Sequence, residues 1–329
     1  MANVVTALLD IEGLEVSFRT AGGLVRAVNG ISYSVSAGET VAIVGESGSG
    51  KSVGALAILG LVPSPPGEVR AGHVRFDGRD LSGLDEAALQ PLRGREIAMI
   101  FQEPMTSLNP VLSIGTQLTE AMRQHMGLDK RQAFDRAIEL LSMVGISEPE
   151  RRLKQYPHHF SGGMRQRVMI AQALSCEPKL IIADEPTTAL DVTIQAQILE
   201  LIKGLTRDLG VALILITHNL GLVARYADRV NVMYAGRIVE SAMPRELYRQ
   251  PRHPYTIGLM ASQPRMDRVT DRLVAIEGQP PDLARLDGGC AFRPRCRFAV
   301  ERCATAIPTL DDVTLDHRSA CFRRDELDR

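Results

Sequence analysis

No run of apolar residues in this chain approaches the ~18 needed to cross a bilayer, which excludes a spanning helix as its organising element. The N-terminus, Met-Ala-Asn-Val-Val-Thr, has neither the basic start nor the long apolar core of an export signal. The protein is therefore expected to stay in the cytoplasm, free to dock on something membranous. Net charge is almost nil, at −1, and nothing in it calls for a nucleic-acid partner. Tryptophan is absent, and there is no low-complexity tract, internal repeat or heptad run. Cysteine is scarce, five in 329 residues, and in a reducing compartment five do not make a disulfide framework. What is left is a chain of 45% hydrophobic residues, enough for a full core and long enough for one large domain plus a smaller one.

The rest of the chain is organised around residues 45–52. Gly45-Glu46-Ser47-Gly48-Ser49-Gly50-Lys51-Ser52 matches the phosphate-loop pattern G-x-x-x-x-G-K-[ST] at every fixed position. The apolar run Thr40 to Val44 before it reads as a buried strand, and Val53 to Leu61 after it reads as a helix. A strand turning through glycines into a helix N-terminus points successive backbone N–H groups at one spot, with the helix dipole behind them. Gly45, Gly48 and Gly50 permit unusual backbone angles and a close approach of phosphate oxygens. Lys51 reaches β- and γ-phosphates, and the Ser52 hydroxyl suits Mg²⁺. This pattern binds a nucleoside triphosphate.

Before the loop, residues 8–18 and Val25 to Val35 read as paired strands, and His73 to Phe76 runs into the hairpin signal Asp77-Gly78. Together they suggest a small antiparallel layer beside a nucleotide core. Phe18, at the end of the first strand, is placed to stack on a purine, although a lone aromatic serves equally well as core. Ile97 to Phe101 predicts a buried strand that delivers Gln102-Glu103-Pro104 to a loop. Residues 116–143 carry Leu118, Met122, Ile138, Leu141 and Met143 at helical spacing, which suggests a helical block inserted into the core.

Ser161-Gly162-Gly163 precedes a helical pattern over Arg165 to Leu174; Ser161 is a good N-cap, and the glycines again make an anion-binding terminus. Alone, such a tripeptide reads equally as a loop. Leu180 to Glu185 is an apolar strand ending in two carboxylates. Asp184 fits a Mg²⁺ anchor, directly or through water, and Glu185 is suited to polarise the attacking water. A helix follows, with Ile194, Ile198, Leu201, Ile202 and Leu205 on one stripe. Val211 to Thr217 is a further strand ending in His218, which suits a γ-phosphate contact as well as a structural role. Strand ends carrying Gln102, Asp184-Glu185 and His218 would converge with the phosphate loop on one sheet edge, where an open α/β sheet binds its ligand.

Over roughly residues 8–245 the order and spacing of these motifs closely resemble the ATP-binding subunits of ABC transporters. The resemblance implies an α/β, P-loop NTPase (RecA-like) ABC nucleotide-binding domain with an antiparallel β subdomain, an inserted helical subdomain at about 103–165, and a cysteine-containing C-terminal extension. The cassette would span residues 1–255 and the extension 256–329. Residues 45–52 look like Walker A, 180–185 like Walker B with its catalytic glutamate, and Gln102 like the Q-loop glutamine and a Mg²⁺ ligand beside Ser52 and Asp184. Ser161-Gly162-Gly163 look like the signature that completes a partner's ATP site in trans, Thr188-Ala189-Leu190-Asp191 like the D-loop, and His218 like the switch histidine. Met164 replaces a common glutamine and Asn219 a common aspartate, and neither removes a group the chemistry requires. Gln102 to Pro110, Phe160 to Arg167, His253-Pro254-Tyr255-Thr256 and Gly278-Gln279-Pro280-Pro281 look like the oligopeptide/dipeptide importer branch.

That branch implies ATP and Mg²⁺, a second ABC ATPase subunit (identical or a paralogue), two integral-membrane permeases, a periplasmic solute-binding protein, and a place on the cytoplasmic face of the inner membrane. Its relatives also carry nickel or other small solutes, and a soluble ABC ATPase without a permease is a rival reading. Soluble members usually have two cassettes or coiled-coil insertions, and this chain has one cassette and no heptads.

Cys290, Cys296, Cys303 and Cys321, four of the five cysteines, crowd the last forty residues in the pattern C-x5-C-x6-C-x17-C. The segment is rich in Arg and too poor in apolar residues for a core of its own. Four thiolates suit tetrahedral zinc or an iron–sulfur cluster, yet the spacing matches neither the C-x2-C zinc pairs nor the ferredoxin runs. The importer branch shows the same cysteines, and its resemblance implies a 4Fe-4S cluster, with zinc, free thiols or an adventitious disulfide as alternatives. Cys176, amid a helical pattern, reads as a small buried apolar residue.

Overall fold

The computed structural model describes residues 7–188, 190–262 and 275–327. They fall into two compact units, one within Met1–Ser36, Thr40–Gly83 and Ile216–Arg329, the other within Ala37–Glu39 and Leu84–Leu215. In chain order the strands are β1 (Leu9–Thr20), β2 (Gly23–Val35), β3 (Thr40–Val44), β4 (Gly67–Arg70), β5 (His73–Phe76), β6 (Arg79–Asp80), β7 (Ile97–Ile100), β8 (Leu180–Asp184), β9 (Ala212–Thr217), β10 (Arg229–Tyr234), β11 (Arg237–Ala242), β12 (Asp311–Thr314) and β13 (His317–Ser319).

The first unit holds an antiparallel layer of order β2-β1-β5-β6, with β4 also on β1. Leu9, Ile11, Leu14 and Val16 of β1 are all buried. Their alternation slips once, at Gly13 (φ 60), where the register against β2 shifts as at a bulge. The Asp77-Gly78 signal is a tight two-residue turn: both residues take positive φ (48 and 78), and Phe76 pairs with Arg79.

The same unit contains the strand path β12-β13-β11-β10-β3. Here β3 is buried along its whole length and runs parallel to β10, with Val44 opposite Val232. Val44, Val232, Tyr234, Tyr255 and Phe292 share one apolar cluster, so the C-terminal extension borrows the core of the strand path instead of building its own. Its hairpin β12–β13 joins β11, Ser319 opposite Glu240 and His317 opposite Ala242. His317 Nε2 lies 2.7 Å from Glu240 Oε1, and both side chains are buried.

In the second unit β7 and β8 are parallel, Ile97 opposite Leu180 through Ile100 opposite Ala183. The expected helical block is present as Ile114–His125 and Lys130–Met143. Ser113 caps the first, and Asp129 with Gln132 forms a capping box on the second. Leu118, Met122 and Leu141 face inward, as their spacing predicts, whereas Ile138 and Met143 are only half-buried. Helices Gly162–Leu174 and Val192–Leu209 complete the unit, the latter capped by Asp191 and closed by left-handed Gly210. Cys176 is buried just beyond the end of its helix.

Candidate active site

Strand β3 ends at Val44, and helix Lys51–Ile58 begins after Gly50, whose φ of 97 only glycine takes readily. Gly45 and Gly50 answer a second demand as well. A β-carbon at Gly45 would lie 2.2 Å from the Met233 carbonyl oxygen, and one at Gly50 2.1 Å from that of Ala27. The loop is thus wedged between neighbouring backbones, and its shape is fixed from outside.

Lys51 is 5% exposed. Its ammonium donates to the Gly45 and Glu46 carbonyls at 2.8 and 2.9 Å, the arching posture that keeps a lysine over the loop. Ser47 and Gly48 form the exposed crest, with Gly48 at φ 79; Ser49 donates its N–H to the Glu46 carbonyl at 3.2 Å, and Ser52 follows Lys51 in the helix. Glu46 carries the most partners in the loop. Its N–H donates to the Tyr255 hydroxyl at 2.8 Å, and its carboxylate accepts two hydrogen bonds from Arg295, at 2.7 and 3.0 Å. Phe18 is half-buried near the end of β1, opposite Val25 of β2 and Gly67 of β4, and His218 is exposed directly after β9.

In the second unit Asp184 ends β8 only 6% exposed, a buried carboxylate that suits a cation. Glu185, the next residue, sits at φ 45. A left-handed glutamate costs backbone energy, of order 1–3 kcal/mol, and the turn re-aims its side chain relative to the strand. Its Oε2 accepts from the Thr188 hydroxyl at 2.8 Å and from the Gln102 amide at 3.3 Å. Gln102 and Glu185, 83 residues apart, are therefore brought together. Ser161 caps helix Gly162–Leu174, its Oγ accepting from the Met164 N–H at 3.3 Å. Ser161 and Gly162 are exposed, and a β-carbon at Gly163 would press to 3.2 Å on Ile194, so the helix start is open and tightly backed. Of the D-loop residues, Ala189 lies outside the described residues.

The cysteine centre implied by the resemblance is met only in part. Among the described residues no three Cys, His, Asp or Glu side chains converge on a metal position, so the four sulfurs are not assembled as ligands in this structure. The sulfurs are nevertheless neighbours, close enough to influence one another electrostatically, and the Cys290 N–H donates to the Cys303 carbonyl at 2.9 Å. Burial pushes the thiols of Cys290 and Cys296 up and that of Cys321 up to about 12. Three sulfurs accept a backbone N–H two residues on: Cys290 from Phe292, Cys296 from Phe298 and Cys321 from Arg323, the last at 3.4 Å. Donors aimed at sulfur favour the thiolate, the ligand form, so the donor set suits a metal or cluster even though the ligand geometry is not formed.

Three functional contacts escape a reading of the sequence. Thr188 lies inside a recognised motif, but nothing in it announces the bond to Glu185. Tyr255 belongs to a recognised tetrapeptide with no assigned role. Arg295 gives no sign of its contact with Glu46, because that partner is 249 residues away.

Residues 28–188 match the family model described as ABC transporter, and residues 239–303 the one described as oligopeptide/dipeptide transporter, C-terminal region. The chain is 54% identical over 298 residues to the oligopeptide transport ATP-binding protein OppD of Bacillus subtilis, covering 90% of this chain and 83% of that one. AppD of the same organism, also an oligopeptide transport ATP-binding protein, is 50% identical, with 98% of both chains covered. Among solved structures, a dimeric ATP-binding cassette in a post-hydrolysis state bound to ADP and Pi gives a TM-score of 0.65 at 27% identity, covering 72% of this chain and 99% of its own. The cbiO1 protein of Clostridium perfringens, part of the ABC transporter complex cbiONQ, gives 0.63 at 28% identity, covering 74% and 91%.

Proposed function

The chain belongs to the ATP-binding subunits of ABC transporters, in the branch with the oligopeptide/dipeptide C-terminal region, and we propose that its ATPase activity energises uptake of di- and oligopeptides across the inner membrane. One observation carries the enzymatic half: Glu185 is held by Thr188 and Gln102 directly after a strand that ends in a buried aspartate. The whole-length likeness to oligopeptide transport proteins, extension included, supports the cargo.

The residues divide the work as follows. The N–H groups of Gly48, Gly50 and Lys51 and the Lys51 ammonium cradle the β- and γ-phosphates, and Phe18 stacks on the purine. Ser52, Asp184 and Gln102 would hold Mg²⁺, which would supply positive charge to offset that of the phosphates. Glu185 accepts a proton from water as the water oxygen attacks the γ-phosphorus; the bond to the β-phosphate oxygen breaks, and ADP and phosphate result. Gln102, bonded to Glu185, senses the γ-phosphate and passes its loss to the helical block 103–165. His218 steadies the γ-phosphate.

Two such subunits, identical or paralogous, pair head to tail. Ser161, Gly162 and Gly163 of one then close on the γ-phosphate held by the other, so ATP joins the pair and hydrolysis releases it. The pair works beneath two permeases on the cytoplasmic face, supplied by a periplasmic solute-binding protein. No described helix is long and apolar enough to cross a membrane, which fits a subunit that docks. Cys290, Cys296, Cys303 and Cys321 would hold a 4Fe-4S cluster, which ties separated turns of the extension together and takes no part in the hydrolytic step.

Anaerobic purification of the complex from its operon tests both halves. Its ATP hydrolysis should rise with peptides presented by the binding protein, and stimulation by nickel alone would replace the cargo assignment. The preparation should be brown, with iron and sulfide in matched amounts; stoichiometric zinc or metal-free thiols would remove the cluster.

A further inference from the structure

The C-terminal extension does more than fill out the core of the first unit. Arg295 stands one residue before Cys296, and its side chain is only 3% exposed. Its guanidinium makes a two-pronged pair with the Glu46 carboxylate, Nη1 to Oε2 at 2.7 Å and Nη2 to Oε1 at 3.0 Å. The same group donates to the Ile276 and Glu277 carbonyls at 3.3 and 3.1 Å. It also lies 5.9 Å from the ring centroids of Tyr234 and Phe292. Nothing about its position is loose. A planar fork held from every side imposes direction as well as charge on the carboxylate it meets.

Glu46 passes that direction on. Its N–H is taken by the Tyr255 hydroxyl, and Tyr255 is fully buried in the cluster that also holds Phe292. Its carbonyl accepts from Lys51 and from the Ser49 N–H. A continuous set of contacts therefore runs from the extension, through Glu46, to the lysine that meets phosphate. Electrostatics points the same way. An uncompensated carboxylate one residue into a phosphate loop would repel the nucleotide, and Arg295 offsets it.

We propose that Arg295, braced by Tyr234 and Phe292, is a positioning residue for ATP binding: it holds Glu46 and so sets the phosphate loop. The proposal rests on residues 45–52 being the ATP cradle. It makes the extension a working part of the nucleotide site, through which changes around Cys296 reach Lys51.

Calorimetric titration of ATP into the full-length chain tests it, with the Lys51→Ala variant as reference. Arg295→Ala should raise the ATP Kd about tenfold, within the usual range of coupling between sites, and raise the KM of the complex while kcat at saturating ATP stays within about twofold. Arg295→Lys, which keeps charge without the fork, should fall between. Glu46→Gln probes the contact from the loop side and leaves the extension untouched. Its effect combined with Arg295→Ala should be no larger than that of Arg295→Ala alone. Wild-type ATP affinity in a folded Arg295→Ala protein, or strictly additive effects of the two changes, would overturn the proposal. If Arg295→Ala does not fold, unchanged affinity in both Glu46→Gln and Arg295→Lys overturns it equally. Retained ATP binding in Lys51→Ala would instead mean that the cradle lies elsewhere.

Discussion

Glu185 combines a backbone angle that glutamate seldom adopts with two hydrogen bonds that hold its carboxylate. Strain at one residue persists only where its surroundings over-determine it, and Thr188 and Gln102 are those surroundings. Glu185→Gln should leave ATP affinity unchanged and lower turnover by roughly 100-fold or more, the usual worth of a positioned base; phosphate-release assays beside nucleotide titration read both. Hydrolysis at the wild-type rate would place water activation on another group. The identity of Glu185 was legible because a strand of five apolar-flanked residues delivers it beside Asp184. Its partner Thr188 was not, since an Oγ three residues downstream reaches the carboxylate only once the chain turns through left-handed φ. Arg295 lies at the far end of the same scale: a side chain whose whole meaning is a contact across 249 residues leaves no local trace.

Among the elements, helix Gly162–Leu174 presents its start to solvent, with Ser161 already spent on capping Met164. A partner's γ-phosphate would meet the remaining N–H groups there, and a long cationic side chain would fill that space. Ser161→Arg in a Glu185→Gln background should therefore leave each monomer binding ATP but abolish the ATP-dependent dimer peak in size-exclusion chromatography. An undiminished dimer peak would refute the role in trans. Periodicity exposed β3, β8 and β9 as continuous apolar runs and the inserted helices by their stripe, but it did not reveal the buried strands β10 and β11. It failed on β12 and β13, Asp-Asp-Val-Thr and His-Arg-Ser, which have no strand-like pattern. Their conformation comes from partners, β11 and the Glu240–His317 pair, and tertiary pairing of that kind overrides local preference.

At the scale of the whole chain, the motifs for nucleotide chemistry could be read in order along the sequence, whereas the union of the extension with the first unit could not. The extension reads as a polar appendage because the aromatic it gives to the core, Phe292, stands amid arginines, and its other apolar contributions, such as Leu259 and Ile276, are scattered. The hairpin it adds has a further consequence. Strand β11 is buried along nearly its full length, and β13 covers the backbone groups it would otherwise offer to any passing strand. The outermost position falls to β12, four residues long and opening with Asp311 and Asp312, a short acidic rim that discourages pairing between molecules. A chain ending at Pro308 loses that rim, leaves Glu240 without His317, and bares β11. Leaving a buried polar group without its hydrogen-bond partner costs roughly 1–3 kcal/mol, so the truncated protein should unfold at lower temperature and elute in aggregates that grow with concentration. A monodisperse, equally heat-stable product would show that the hairpin is no guard. Otherwise, β11 stays prone to cross-chain strand exchange until the β12–β13 hairpin has folded onto it.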